Sequence, residues 1–110
     1  MSTPDYFTKL NQIVDGLNEW FPNGNAPFQI VTRLCEEAGE IAKAVNHFEG
    51  TGIKLQKYGE PDRAALAKEV QDVICAALSI ARYYGIEAEL EHSLDNRYLR
   101  LIDEGYIKVS

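Results

Sequence analysis

The chain has few of the residues that build zinc, redox or membrane sites. It contains two cysteines and two histidines among 110 residues, and neither cysteine has a second cysteine or a histidine at zinc-ligand spacing. No apolar segment approaches the roughly 20 residues that a membrane-spanning helix needs. The opening stretch, MSTPDYFTKL, has neither the basic start nor the apolar run of a signal peptide. These absences predict a cytoplasmic protein with no membrane partner, in which Cys35 and Cys75 are small buried thiols.

Positive charge is also scarce. The chain has 11 Lys and Arg against 17 Asp and Glu, which gives a formal net charge of −6. Binding to duplex nucleic acid without regard to sequence needs clustered Lys and Arg that replace counterions, so we expect no nucleic-acid partner. Phosphorylated small molecules are not excluded, because a bound cation can reverse the local field.

Apolar residues recur at spacings of three and four, which is typical of amphipathic helices. The pattern predicts an all-α protein with a single domain over residues 1–110 and no strand. Ser2 or Thr3 is expected to cap the first helix, and Gly85 to end the third. The four predicted helices run from about Thr3 to Glu19, Pro27 to Phe48, Pro61 or Asp62 to Tyr84, and Glu87 to Asp103.

The two long middle helices each carry an apolar row. We expect the rows to pair, so that these helices form an antiparallel pair at the centre of a four-helix bundle. The rows are Leu34, Ala38, Ile41, Val45 and Phe48 on the second helix, and Leu66, Val70, Val73, Ala77, Ile80 and Tyr84 on the third.

Four acids each directly precede a residue of these rows. At about 100° per residue, all four side chains lie on the same flank of their own row. Within each helix the two acids are three residues apart and are therefore surface neighbours. Antiparallel pairing would bring the four carboxylates to one side of the helix pair. They are Glu37 and Glu40 on the second helix and Glu69 and Asp72 on the third.

Such a cluster has two possible fates. The acids either splay into water as a solvated face, or hold a divalent cation that relieves their repulsion. Oxygen ligands alone favour magnesium, manganese or calcium. A di-iron site would need Glu-x-x-His pairs, which neither His47 nor His92 completes with these acids. Glu36 lies on the opposite side of its helix and is predicted to face solvent, unless a neighbouring subunit covers that side.

The stretches EEAGE (residues 36–40) and KEVQD (68–72) together resemble the MazG-like nucleotide pyrophosphohydrolases. The signature of that family is Glu-Glu-x-x-Glu on one helix and Glu-x-x-Asp on the next. WFPNGNAPFQ (20–29) and NRYLR (96–100) resemble the family less specifically. The resemblance spans roughly residues 20–100. It implies an all-α MazG-like bundle, completed as a homodimer or tetramer. This bundle would cleave a nucleoside triphosphate to the monophosphate and pyrophosphate with Mg²⁺, or with Mn²⁺ as the alternative ion.

The resemblance also implies roles for individual residues. In the motifs EEAGE and KEVQD, the metal ligands would be Glu37, Glu40, Glu69 and Asp72. Glu36 would be a further acid of the catalytic site. Substrate phosphate or base would be held by Asn96, Arg97 and Arg100.

Three further residues are candidates for substrate contacts on their chemistry alone. Trp20 and Phe28 flank the loop before the second helix and could stack on a base, although large aromatic residues more often anchor a small core. Lys54, in the long loop of residues 49–62, could contact phosphate or simply be a solvated lysine. A covalent nucleophile is not expected, so the attack would be by water.

Two other functions remain open. The chain could be a non-catalytic helical module that binds a nucleotide or metal for regulation. It could also be a phosphoribosyl-ATP pyrophosphohydrolase, although VICAALSIARYY, after Asp72, lacks the histidine-bearing continuation associated with that branch. In every case we expect oligomers, because Leu78, Ile86 and Ile107 are predicted to be exposed apolar positions.

Overall fold

The structure is a computed structural model that describes residues 4–50 and 59–109. In these ranges it contains four helices and no strand, which confirms the all-α prediction. None of the helices in the described ranges combines the length and apolarity that a membrane span requires. The helices are α1 (Tyr6–Trp20), α2 (Pro27–Phe48), α3 (Arg63–Tyr84) and α4 (Glu87–Asp103).

The first helix begins later than predicted, because Asp5 caps it. Asp5 has an extended backbone, and its Oδ1 accepts a hydrogen bond from the Thr8 amide at 2.8 Å. A side-chain acceptor in this position satisfies one of the amides that the first helical turn leaves free. Ser2 and Thr3, the predicted caps, lie outside the described residues.

The ends of the other helices follow from local hydrogen bonds. Pro27 occupies the first turn of α2, where Gln29 Oε1 accepts from the Ala26 amide at 3.0 Å. Asp62 Oδ1 accepts from the amides of the second and third residues of α3, at 3.0 and 3.2 Å. Gly85 ends α3 with a φ of 64°, a left-handed conformation that favours glycine. The predicted bounds of α2 and α4 are confirmed.

Contacts divide the chain into two compact units, the first ending at Ile80 and the second beginning at Ala81. In the first unit, Val14 and Ile30 are each 2% exposed and form the most deeply buried part of the core. Leu78 is also buried, so its predicted exposure is wrong. The reason is that α3 is buried on the side that carries Leu78, whereas Ala77, in the predicted row, is exposed. In the second unit Ile86 is exposed, as predicted, and Ile107 is half-buried.

Within the first unit, α2 and α3 run in opposite directions, as predicted. One depression is lined by His47, near the end of α2, and Ala65, near the start of α3. Another is lined by Arg33, near the start of α2, and Ser79, near the end of α3. The end of α2 therefore lies beside the start of α3, and the start of α2 lies beside the end of α3, as in any antiparallel helix pair.

The buried face of each of these helices is rotated slightly from its predicted row. Ala38 and Val70 are exposed, whereas Glu37 and Glu69, one residue earlier, are half-buried. The predicted rows are therefore wrong at these positions. A second row with the same alternation of three and four residues faces inward instead, and the acids are part of it. On α2 this row is Ile30, Leu34, Glu37, Ile41, Ala44 and Phe48.

Candidate metal centre

Three carboxylates from two helices converge in the first unit. Glu37 comes from α2, and Glu69 and Asp72 come from successive turns of α3. Each offers one oxygen, and these oxygens all lie within 4.8 Å of one another. All three residues are half-buried, because they sit on the facing sides of the antiparallel pair. The convergence predicted from the sequence is therefore confirmed for three of the four acids.

The surroundings of Glu37 in this acidic cluster (Glu37, Glu69 and Asp72) raise its pKa. Partial burial raises the pKa of Glu37 above its usual value. A hydrogen bond with Glu69 and the negative charges of Asp72 and Glu69 raise it further, and Lys68 opposes them. A carboxyl group with this environment holds its proton more tightly than an isolated one. A divalent cation between the three oxygens would relieve the same repulsion.

Among the described residues, Lys68 supplies positive charge at the edge of the cluster. Its Nζ lies 3.0 Å from Asp72 Oδ2, one helical turn away, with 70% of the lysine side chain exposed. The hydrogen bond to Asp72, followed by the charges of Asp72 and Glu69, raises the pKa of Lys68. One exposed lysine therefore partly neutralises the cluster but leaves its net charge negative.

The donor set fits a hard divalent cation. Mg²⁺ binds oxygen at about 2.0–2.1 Å and Ca²⁺ at about 2.3–2.6 Å, so oxygens on opposite sides of one ion are about 4.0–4.2 Å apart around Mg²⁺ and about 4.6–5.2 Å apart around Ca²⁺. The cluster oxygens lie within 4.8 Å of one another, which is compatible with one shared ion, and around Mg²⁺ any pair farther apart than about 4.2 Å would have to close slightly. Cys75 lies nearby, but burial and then the charge of Asp72 raise the pKa of its thiol. A thiol that stays protonated is a poor metal ligand, so oxygen coordination is favoured.

The two other predicted acids lie outside the cluster. Glu40 is directed at Lys43, with 3.4 Å between its Oε1 and the lysine Nζ, and 51% of its side chain is exposed. Glu36 is exposed and borders a shallow depression with Phe28 and Arg33. Its solvent-facing position is the one predicted from helix geometry. Metal binding by Glu40 and a catalytic role for Glu36 stay predictions.

The aromatic substrate candidates are surface residues. Trp20 is 80% exposed and Phe28 is 87% exposed. The alternative interpretation, in which they anchor the core, is therefore wrong for both. Neither of them lines the pocket that adjoins the acidic cluster.

The polar substrate candidates fall in different parts of the chain. Asn96, Arg97 and Arg100 line one depression on α4, in the second unit. The Asn96 amide donates to His92 Nε2 at 3.1 Å, so the two side chains are fixed relative to each other. Lys54 lies outside the described residues.

The prediction of two buried cysteines is half wrong. Cys75 is partly buried, but Cys35 is exposed, because it lies on the outer side of α2. Both are free thiols.

A pocket that the sequence analysis missed opens beside the acidic cluster. It has a volume of about 350 Å³, and Glu37 and Asp72 form part of its wall. The only signal for it in the sequence is the amide-rich stretch NEWFPNGN, residues 18–25. The wall is completed by Val14, Leu17, Asn18, Phe21, Asn23, Asn25, Arg33, Cys75, Ala76 and Ser79.

Comparisons of the chain with protein-family models, with curated proteins and with solved structures returned no match.

Proposed function

We propose that the protein is a magnesium-dependent nucleoside triphosphate pyrophosphohydrolase, which converts a ribo- or deoxyribonucleoside triphosphate and water to the monophosphate and pyrophosphate. Its role would be the control or cleaning of the nucleotide pool. The observation that carries the proposal is the acidic cluster on two antiparallel helices. The resemblance of EEAGE and KEVQD to the MazG-like motifs supports the same reaction.

The cluster would act as the cation site. Glu37, Glu69 and Asp72 would bind Mg²⁺, with Mn²⁺ as a substitute, and Glu40 is our candidate for a fourth ligand. Glu40 lies three residues from Glu37, but it would have to leave Lys43 to take part. A bound divalent cation would supply Lewis acidity, an attacking water of lowered pKa, and charge to offset the phosphates.

The chain's own residues would then position the substrate and accept a proton. Lys68, beside Asp72, is free to rotate towards an anion because most of its side chain is exposed. Glu36 faces solvent on the outer side of α2, so it is our candidate to accept the proton of an attacking water only at a site that a neighbouring subunit completes. Asn96, Arg97 and Arg100 form a donor-rich group on α4, in the second unit, and they stay predicted contacts for phosphate or base. Trp20, Phe28 and Lys54 likewise stay predicted substrate contacts, each argued on its own chemistry.

Assembly and location belong to the proposal as well. Large apolar side chains are exposed in both units, among them Phe7 at 47% and Leu99 at 62%. Exposed apolar side chains that adjoin one another favour association, and we propose a homodimer or tetramer. We also propose a cytoplasmic location. Two free thiols are compatible with the reducing conditions of that compartment.

The proposed partner is a nucleoside triphosphate. A net charge of −6 supports a small-molecule partner over nucleic acid.

The test is pyrophosphate release from a panel of ribo- and deoxyribonucleoside triphosphates, with and without Mg²⁺, with products separated by chromatography. We expect monophosphate and pyrophosphate in equal amounts, and only with the metal. Glu69→Gln should lower turnover at least about 100-fold, since changes even outside the ligand shell cost 10–100-fold. The matched control is Glu91→Gln, the same change at an exposed position on α4.

Two results would refute the proposal. One is the absence of turnover on every triphosphate while Mg²⁺ binds, which would favour the non-catalytic binding module. The other is diphosphate and inorganic phosphate as the products, which would place cleavage at a different bond. Turnover confined to phosphoribosyl-ATP, added to the panel, would identify the other enzyme considered above.

A further inference from the structure

The pocket beside the acidic cluster has two chemically different sides. Glu37 and Asp72 contribute negative charge on one side. Leu17 and Phe21 contribute apolar surface, and Asn18 contributes an amide. With about 350 Å³, the pocket lies at the small end of the range for ligand sites, which is roughly 300–1,000 Å³. It is large enough for one ring system with a sugar, but not for a much larger ligand.

The Asn18 side chain is polar and partly buried. No hydrogen bond joins it to another residue in the part of the chain that the structure describes. The contrast is with Asn11, on the same helix, whose Nδ2 donates to the Phe7 carbonyl at 3.0 Å. A carboxamide presents one donor group and one acceptor side by side. Asn18 can therefore pair with any planar ring whose edge offers a donor next to an acceptor.

Hydrogen bonds join further residues of the pocket wall to the loop between α1 and α2. The Arg33 guanidinium, on α2, donates to the Gly24 carbonyl at 3.2 Å and to Asn25 Oδ1 at 3.3 Å. The Asn25 amide in turn donates to the Phe21 carbonyl at 2.8 Å. Arg33 thus ties the loop between α1 and α2 to the helix that carries Glu37. The wall exists before any ligand arrives, which lowers the cost of binding.

We propose that this pocket holds the nucleoside of the substrate, with the Asn18 carboxamide reading the edge of the base and Leu17 and Phe21 packing against the ring. Asn18 is then the residue that determines base specificity, and Arg33 is a positioning residue for the pocket wall. This inference rests on the proposed function, because the acidic cluster on the adjoining wall is where the phosphates would lie. It replaces stacking on Trp20 or Phe28 as the means of recognising the base.

The experiment uses uncharged nucleosides as probes, so that its result depends on neither metal binding nor hydrolysis. Adenosine, guanosine, cytidine, uridine and thymidine are titrated separately against the full chain without Mg²⁺, and binding is followed by protein NMR. We expect one base to bind preferentially. Asn18→Ala should lower that preference about fivefold or more, the size expected for one lost hydrogen bond. Asn11→Ala, the same change on the same helix, should leave the preference as it is.

Cysteine labelling locates the bound nucleoside. Cys75 lines the pocket, whereas Cys35 is exposed on α2. The preferred nucleoside should slow alkylation of Cys75 and leave that of Cys35 unchanged. Asn18→Asp serves as a second variant in case the alanine variant does not fold. It removes the donor group of the amide, so it should shift the preference towards bases that can donate to both oxygens.

Three outcomes would overturn the inference. They are the absence of nucleoside binding at millimolar concentration, a base preference that is unchanged in both Asn18 variants, and binding that leaves Cys75 fully reactive. If triphosphate hydrolysis occurs while nucleosides fail these tests, the function stands and this pocket assignment fails. If nucleosides bind through Asn18 but no triphosphate is hydrolysed, the pocket assignment stands and the function fails.

Discussion

Lys68 and Asp72 form an ion pair on α3, with 3.0 Å between Nζ and Oδ2, at the edge of the acidic cluster. The lysine therefore competes with any cation for one of the three carboxylates. We predict that Lys68→Gln tightens Mg²⁺ binding by up to about fivefold, since exposed ion pairs are worth about 0.2–1 kcal/mol. Isothermal titration calorimetry at constant ionic strength measures this. Lys108→Gln, an exposed lysine of the second unit, is the control, and unchanged or weaker binding in Lys68→Gln would contradict the prediction.

Glu37 makes the stability of the metal-free protein depend on pH. Its folded-state pKa is raised, so the folded protein binds this proton more tightly than the unfolded chain does. Stability from this group is therefore highest in acid and falls as the pH rises through the raised pKa. Above that pH, removing the charge should stabilise the fold. We predict that Glu37→Gln raises the Tm at pH 7 by about 1–4 °C, which corresponds to relief of about 0.2–0.5 kcal/mol of repulsion.

The Tm values of the wild type and of Glu37→Gln should also be compared in acid and in the presence of Mg²⁺. At a pH below the usual range of glutamate the two proteins should have equal Tm values, because both side chains are then neutral. In saturating Mg²⁺ the order should reverse, because only the wild type keeps all three ligands. Glu36→Gln, the adjacent but exposed glutamate, should change none of these values. A lower Tm for metal-free Glu37→Gln at pH 7 would show that the carboxylate stabilises the fold.

Asp62 should contribute to stability through α3. Its Oδ1 accepts from two amides of the first helical turn, and loss of such a cap costs about 1 kcal/mol. We predict that Asp62→Ala lowers the Tm by about 4–8 °C, measured by circular dichroism. Asp62→Ser, which keeps a capping oxygen, should recover most of the loss. Equal Tm values for the alanine and serine variants would mean that the cap is not the source of the effect.

The exposed apolar side chains predict self-association. Light scattering at micromolar concentration should give at least twice the mass of one chain, 12.4 kDa. A concentration-independent monomeric mass would contradict the proposed dimer or tetramer.

Local interactions decided how much of the fold could be predicted from the sequence. Pro27 and the broken pattern before it located the start of α2 to the residue. The start of α1 was misplaced because two nearby residues could also cap it, and only the hydrogen bond from Thr8 identifies Asp5. The inward face of α2 was misplaced because two rows share the same spacing, and apolarity favoured Ala38 over Glu37.

The site was predictable only where it depends on helix geometry. The spacing of the acids along α2 and α3 was enough to predict that Glu37 and Asp72 lie close together. It was not enough to find the pocket, since Asn18 and Arg33 line one cavity only because of the way the loop between α1 and α2 folds. The sequence alone could not show that Glu37 belongs to the cluster and Glu40 does not. The contact between Glu40 and Lys43 depends on the direction of the side chains, which the spacing of residues does not determine.

The central claim is that Glu37, Glu69 and Asp72 together hold one divalent cation. The most direct measurement is a Mn²⁺ titration followed by electron paramagnetic resonance, at constant ionic strength, with Mg²⁺ as the competitor. We predict saturable binding in the wild type and in Glu91→Gln, displacement by Mg²⁺, and at least about a 10-fold loss of affinity in Glu69→Gln and in Asp72→Asn. Equal Mn²⁺ binding by the wild type and by both cluster variants would contradict the account.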